Sequence, residues 1–144
     1  FLPSDKKEKQ QILAELVNET RTMVIYEAPH RLKKTLQELK DTLGNRKITV
    51  CRELTKKHET AFATTLEEAI CYYEQEEPRG ECVLVIEGRN REELRQEEVS
   101  KWEQMSIEEH MAYYQEQGMD KKEAMKRVAK DRGISKRDVY QELL

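Results

Sequence analysis

The polar side chains best suited to chemistry gather directly after three short apolar runs of this sequence. Its carboxylates and imidazoles could position a hydroxyl group or move a proton, and its guanidinium and ammonium groups could bind phosphate or carboxylate. Because ligands of open parallel sheets bind beyond the carboxyl ends of the strands, we expect these groups to line one rim. The set is Glu27, His30 and Arg31 after the first run, Arg52, Glu53, Thr55, Lys56 and His58 after the second, and Glu87 and Arg89 after the third.

A purely structural interpretation of the same set is equally open. Its acidic and basic members could pair with one another and fix the loops, because ion-pair networks also gather at strand ends. In favour of a ligand, His30 and Arg31 fall in the first turn of a predicted helix, where free backbone N–H groups attract anions. The rim alone does not decide the function.

Other kinds of reactive site receive little support. His30, His58 and His110 are too scattered along the sequence for a metal-binding set. Cys51 and Cys82 lie within predicted strands, where packing is the expected role of a thiol. The five glycines stand alone, so no glycine-rich loop for a nucleotide or phosphate is predicted.

The end of the chain carries a local positive charge that the total conceals. From Lys121 to Arg137 the net charge is +6, against −3 for the whole chain. Such a segment is typical of phosphate-backbone binding, although no aromatic residues alternate with the basic ones. A solvated helical face that keeps the domain soluble is an equally open interpretation. The candidate RNA-binding residues are Lys121, Lys122, Lys126, Arg127, Lys130, Lys136 and Arg137.

The spacing of apolar residues predicts the elements that must position these groups. The predicted order is αβαββαβ, which favours an α/β fold with a mixed, largely parallel sheet and helices on both faces. The elements are a helix from Ser4 to near Asn18, a strand at Thr22–Tyr26, a helix from Pro29 to Gly44, strands at Lys47–Arg52 and Glu59–Thr64, a helix capped by Thr65, and a strand at Cys82–Ile86.

The chain is expected to have two parts. Residues 1–88 form the α/β domain, residues 89–104 form a charged linker, and residues 105–144 form a small basic unit. Three short helices capped by Ser106, Asp120 and Ser135 predict a helix-turn-helix-like arrangement of that unit.

Composition limits the class of protein further. With 144 residues, 38% of them charged and 37% hydrophobic, the chain can build only a small core. No apolar run is long enough for a membrane span, and three widely spaced cysteines suit a reducing compartment. We therefore expect a cytoplasmic protein with no membrane partner.

Several strings resemble the ribosomal RNA small subunit methyltransferase I family, within the tetrapyrrole-methylase-like class. They are FLP at the start, YEAPHR at 26–31, RELTKKHE at 52–59, GECVLVIEG at 80–88 and AMKRVAKDRGISKRDVYQELL at 124–144. The resemblance implies an S-adenosylmethionine-dependent enzyme, acting as a homodimer, that methylates a cytidine ribose 2′-hydroxyl in 16S rRNA of the small ribosomal subunit.

The resemblance also implies that this chain is the C-terminal portion of such an enzyme. The first strand and the N-terminal domain that binds most of the cofactor would then be absent, and the fragment alone would be inactive. Glu27, Glu53 and His58 would position the ribose hydroxyl. The remaining cleft residues would be Pro29, His30, Arg31, Arg52, Thr55, Lys56, Glu59 and Glu87.

Two other functions remain open. A small-molecule tetrapyrrole methylase would share the fold, although a corrin or porphyrin site needs a broader apolar wall than this charged rim provides. A non-enzymatic RNA- or protein-binding module could also use the same half-fold.

Overall fold

The computed structural model describes all 144 residues, which form two compact units. The first unit contains residues 1–90, and the second contains residues 91–144. The boundary lies close to the predicted end of the α/β domain. The predicted linker is largely helical, since 91–103 form the first helix of the second unit.

The first unit contains three α-helices and four strands in the predicted order. The side chain of Asp5, rather than the predicted Ser4, caps the first helix by accepting a hydrogen bond from the Glu8 N–H. Thr65 caps the third helix in the same way, and Gly44 ends the second as predicted. The elements are α1 (Lys6–Leu16), β1 (Met23–Glu27), a 3-10 turn (Pro29–Arg31), α2 (Leu32–Leu43), β2 (Lys47–Arg52), β3 (Thr60–Thr65), α3 (Leu66–Gln75) and β4 (Cys82–Ile86).

The sheet is antiparallel, so the prediction of a largely parallel sheet is wrong. The strand order is β1-β4-β2-β3, and every pair of neighbouring strands is antiparallel. The helical connection does leave β1 and β2 pointing the same way, but β4 lies between them and runs in the opposite direction. Apolar periodicity predicts strands and cannot reveal such an insertion.

Only one face of the sheet is covered by helices. On that face Ile25, Val50 and Leu84 pack with leucines of α1, α2 and α3 in one buried cluster. On the other face Val24 and Tyr26 are exposed, and their neighbours on β4 are half-buried. The expectation that helices cover both faces is therefore wrong for the helices of the first unit, and the open face borders the candidate site.

The second unit is helical. Ser106, Asp120 and Ser135 cap three helices as predicted. At Ser106 and Ser135 the carboxylate three residues later also accepts from the serine N–H, which completes a capping box. Its small core joins Met111 and Val128 with residues of all three capped helices. The helices are α4 (Arg91–Glu103), α5 (Ile107–Glu116), α6 (Lys121–Arg132) and α7 (Lys136–Glu142). No helix of either unit combines the length and apolar character that crossing a membrane requires.

Candidate functional site

The ends of β1 and β2 meet the start of β4 at one edge of the sheet. Glu27, the last residue of β1, is in register with Cys82, and Cys82 is in register with Arg52 at the end of β2. The YEAPHR and RELTKKHE segments therefore leave the sheet at the same edge, as the rim hypothesis requires.

A cleft of about 600 Å³ opens at this edge, a size in the range of small-molecule sites. Of the predicted residues, it contains Glu27, Glu53, Thr55 and Lys56. Its other lining residues are Phe1, Tyr26, Cys51, Leu54, Gly80, Glu81, Cys82 and Val83.

The loop after β2 has an unusual backbone. Glu53 and Thr55 have positive φ angles of 53° and 65°, a region that is unfavourable for a β-branched residue such as threonine. The turn is held by the Lys56 N–H, which donates to the Glu53 carbonyl at 3.0 Å, and by the Thr55 N–H, which donates to Glu59 Oε1 at 3.1 Å. These bonds fix Leu54 and the side chains beside it at the mouth of the cleft.

Glu53 lies against Gly80 across the cleft floor. A β-carbon at Gly80 would lie 2.5 Å from Glu53 Oε1, so a larger residue there would displace the carboxylate. The other oxygen, Oε2, is 3.3 Å from the Lys56 ammonium. Glu53 thus contributes a carboxylate that lies close to Gly80 and pairs with an exposed cation.

Glu27 is buried, and each of its two carboxylate oxygens accepts one hydrogen bond. Its Oε1 accepts from the Ala28 N–H at 2.9 Å, and its Oε2 accepts from the Thr35 hydroxyl at 2.6 Å. These bonds tie the end of β1 to α2, so Glu27 acts as a fixed wall of the cleft.

Arg52 points to the covered face of the sheet and not into the cleft. Its guanidinium donates to the Arg79 carbonyl and so connects β2 to the turn before β4. Burial raises the pKa of the Cys82 thiol and of the Tyr73 phenol nearby, an effect that the positive charge of Arg52 opposes. A raised pKa keeps Cys82 as a neutral thiol, which supports the packing role predicted for it.

Glu87 does not belong to this cleft, so its prediction as a cleft residue is wrong. Because β4 is antiparallel to β1 and β2, its carboxyl end lies at the opposite edge of the sheet. There Glu87 lines a separate cavity, and its N–H donates to the Lys47 carbonyl at 3.0 Å. Arg89, which follows β4, is displaced from the rim for the same reason.

The other predicted residues lie near the cleft without lining it. Pro29, His30 and Arg31 form the 3-10 turn directly after β1, and Arg31 lines a second cavity behind Glu27. His58 and Glu59 are exposed at the far end of the loop. Sequence reasoning missed eight lining residues, and half of them lie at positions 80–83, in the turn before β4 and at its start. The turn residues Pro78, Arg79 and Gly80 were the available signal for these four.

The second unit combines a basic surface with a polar core. All seven candidate RNA-binding side chains are exposed. Arg132, also in the basic segment, instead donates to His110 Nδ1 at 3.0 Å and to the carbonyls of Trp102 and Met105. His110 Nε2 lies 3.1 Å from Asp131 Oδ2, and the Trp102 ring stacks on His110. Aromatic side chains therefore pack beside the basic helix, although they lie outside the basic segment of the sequence.

The comparisons with known proteins support the resemblance. The sequence profile of Tetrapyrrole (Corrin/Porphyrin) Methylases matches residues 1–70. A Bacillus subtilis protein named ribosomal RNA small subunit methyltransferase I is 45% identical over 97% of this chain, which covers 48% of that protein. Proteins of the same name from Halalkalibacterium halodurans and Synechocystis are 45% and 35% identical over 97% and 98% of the chain, which covers 48% and 49% of them. The chain spans about half the length of these relatives.

Proposed function

Because this chain belongs to the ribosomal RNA small subunit methyltransferase I family, we propose that it is part of a methyltransferase that modifies 16S rRNA. The proposed reaction transfers a methyl group from S-adenosylmethionine to the ribose 2′-hydroxyl of a cytidine. The proposed enzyme is a cytoplasmic homodimer. Residues 1–88 contribute one side of its cleft, and residues 105–144 bind RNA.

The observation that carries this proposal is the cleft itself. The YEAPHR and RELTKKHE segments leave the sheet at one edge, and Tyr26, Glu27, Glu53 and Lys56 line one cavity there. Because residues of both family strings line one cavity, a ligand site explains their position better than a purely structural role of ion pairs that fix the loops.

The cleft suits only part of S-adenosylmethionine. The carboxylates of Glu53 and Glu81 match its positive charge, and Tyr26 and Leu54 offer apolar contact for a ring. The glycines of this chain form no phosphate- or nucleotide-binding loop, so most of the cofactor would be held by another part of the enzyme. When bound, the cofactor supplies an electrophilic methyl group.

The residues of this chain would act mainly by positioning. Methyl transfer needs the attacking oxygen in line with the methyl group, and proton removal is a secondary requirement. Glu53 is the best placed residue for binding the ribose hydroxyl, since Gly80 allows its close approach and Lys56 pairs with it. Glu27 shapes the wall, and His58 would reach the ribose only from the exposed end of the loop.

Cations would bind the RNA backbone. Lys56 lines the cleft, and Arg31 lines the neighbouring smaller cavity. Arg52 would instead support the turn before β4 by donating to the Arg79 carbonyl. The exposed lysines and arginines of α6 and α7 would add a second, sequence-independent contact with ribosomal RNA.

A methylation assay with the complete enzyme tests the proposal. Small ribosomal subunits that lack the modification are incubated with the enzyme and methyl-labelled S-adenosylmethionine, and the labelled nucleotide is identified after alkaline hydrolysis. A ribose 2′-O-methyl group leaves the adjacent phosphodiester resistant to alkali, which separates this product from base methylation. We expect label in an alkali-resistant cytidine.

Variants connect that activity to the cleft. Glu53→Ala is expected to reduce methylation at least about tenfold, because a misplaced substrate loses much of the rate. Glu67→Ala, an exposed glutamate in the first turn of α3, is the matched control and should keep full activity. Label on a porphyrin or corrin but not on RNA would establish the tetrapyrrole methylase instead.

A further inference from the structure

A second, smaller cavity lies behind Glu27, and the established similarities assign no role to it. Its volume is about 200 Å³, and it shares Glu27 with the larger cleft. Residues from the start of the chain, α1, the 3-10 turn and α2 enclose it. They are Leu2, Pro3, Ser4, Lys9, Glu27, Arg31, Lys34 and Thr35.

The cavity is lined by three cations, two of which are available to a ligand. The guanidinium of Arg31 has no hydrogen-bond or ion-pair partner in the structure. The ammonium of Lys34 is 77% exposed as a side chain and lies 4.0 Å from Glu38 Oε1. Lys9 is held more firmly, since its Nζ lies 3.1 Å from Glu38 Oε2 and its side chain is mostly buried.

One acidic side chain, Glu27, lines the cavity beside the three cations, so the lining carries an excess of positive charge. Both oxygens of Glu27 already accept hydrogen bonds, from the Ala28 N–H and the Thr35 hydroxyl, and the side chain is buried. Glu38 does not line the cavity; its carboxylate lies 3.1 Å from Lys9 Nζ and 4.0 Å from Lys34 Nζ, so it holds Lys9 more closely than Lys34. An anion would therefore meet Arg31 and Lys34 first.

We propose that this cavity binds one phosphodiester group of the RNA, next to the nucleotide held in the larger cleft, through Arg31 and Lys34. The inference rests on the proposed function, because it takes the RNA strand as the ligand of the cleft. The shared wall at Glu27 makes the two cavities neighbours, as adjacent groups of one RNA strand require. A forked guanidinium and a flexible ammonium are the groups that proteins use for phosphate.

Equilibrium binding of a ribo-oligonucleotide to the complete enzyme tests this site without requiring methyl transfer. The oligonucleotide carries the sequence around the modified nucleotide and a fluorescent label, and anisotropy gives its Kd. Arg31→Ala combined with Lys34→Ala should raise the Kd about tenfold at low salt. The slope of log K against log salt should become shallower by about 0.7 for each lost phosphate contact with a single strand.

Lys33→Ala is the matched control for Lys34→Ala. Lys33 precedes Lys34 on the same helix, its Nζ lies 2.9 Å from Glu77 Oε1, and it does not line the cavity. This variant removes the same charge and should change the Kd by less than twofold. Equal Kd values and salt slopes for the double variant and the control would overturn the proposal.

Two further outcomes separate this inference from its alternatives. If the double variant loses affinity for inorganic phosphate in calorimetry but binds the oligonucleotide as the wild type does, the cavity binds a free anion and the RNA assignment is overturned. If the oligonucleotide Kd depends on Arg31 and Lys34 while the enzyme methylates no ribosomal RNA, the phosphate site stands and the proposed function fails.

Discussion

Both units contain an apolar core cluster, but they place their buried polar residues differently. In the first unit, leucines, isoleucines and a valine fill the space between one sheet face and three helices, and the buried polar residues Glu27 and Thr35 line the smaller cavity beside the cleft. In the second unit, a fully buried histidine occupies the interior, with Asp131, Arg132 and Trp102 around it.

This difference determines which kinds of change should destabilise each unit. Apart from Cys82, the cleft residues of the first unit lie outside its buried apolar cluster, so most of them can change without opening the core. The second unit has a smaller apolar cluster than the first, and its hydrogen-bond network around His110 also joins α4, α5 and α6. We therefore expect truncation of apolar residues to affect the first unit most, and protonation to affect the second.

The largest effect is expected from Leu84→Ala in the first unit. Leu84 is fully buried at the centre of β4, and truncating such a leucine leaves a cavity. The free energy of unfolding should fall by about 3 kcal/mol, measured by hydrogen exchange of the strand amides.

Val85→Ala is the control for this change, on the same strand but on the open face. Val85 is half-exposed, so its truncation should cost about 1 kcal/mol or less. Equal costs for the two variants would mean that the open face is covered in solution, and would remove the contrast between the two sides of the sheet.

Local sequence patterns predicted most of the elements of both units. The bounds of β2 and β4 are as predicted, because their apolar runs end at charged residues or turns. Helix caps at Thr65, Ser106 and Asp120 were also predictable, since a cap depends on a side chain and a backbone N–H three residues apart. Strand direction was not predictable, because the position of β4 between β1 and β2 depends on long-range packing.

The candidate site was predictable to a similar extent. Glu27, Glu53 and Lys56 come together because β1 and β2 do point the same way. Glu87 was misplaced because the rim hypothesis assumed a parallel β4. The polar core around His110 was also missed, since a lone histidine in a sequence carries no signal of the partners that the fold will bring to it.

A smaller effect is expected from acidification, and it should be confined to the second unit. Burial lowers the pKa of His110 below its ordinary value of 6.5; the hydrogen bond with Asp131 opposes this shift, and the adjacent Arg132 adds to it. Between the folded and the unfolded pKa, His110 is therefore protonated in the unfolded chain and neutral in the folded unit. Stability is fully present above pH 6.5 and falls as the pH drops from 6.5 through the folded pKa, by about 1.4 kcal/mol for each unit of pKa difference.

Trp102 offers a selective measurement of this effect. It is the only tryptophan of the chain, and its ring stacks on His110, so its fluorescence reports the unfolding of the second unit. His110→Gln is the control, because a glutamine amide can donate to Asp131 and accept from Arg132 without titrating. Unfolding midpoints that depend on pH equally in both proteins would show that His110 is not the titrating group.

The smallest effect on stability, and the sharpest test of the cleft, is expected from Gly80→Ala. Gly80 has a φ of +71°, and alanine there should cost about 1 kcal/mol of backbone strain. Gly44 has a φ of 80° and a ψ of −177°, a region that is essentially restricted to glycine, so Gly44→Ala should cost about 1–3 kcal/mol. A β-carbon at Gly44 meets nothing within 4 Å, whereas one at Gly80 meets the carboxylate of Glu53. Gly44→Ala should therefore unfold at the same or a lower denaturant concentration than Gly80→Ala, but only Gly80→Ala should reduce methylation by the complete enzyme, by at least about tenfold. Equal activity of the two variants would mean that the position of the Glu53 carboxylate does not matter to the reaction, and that the cleft edge is no more specialised than the helix end at Gly44.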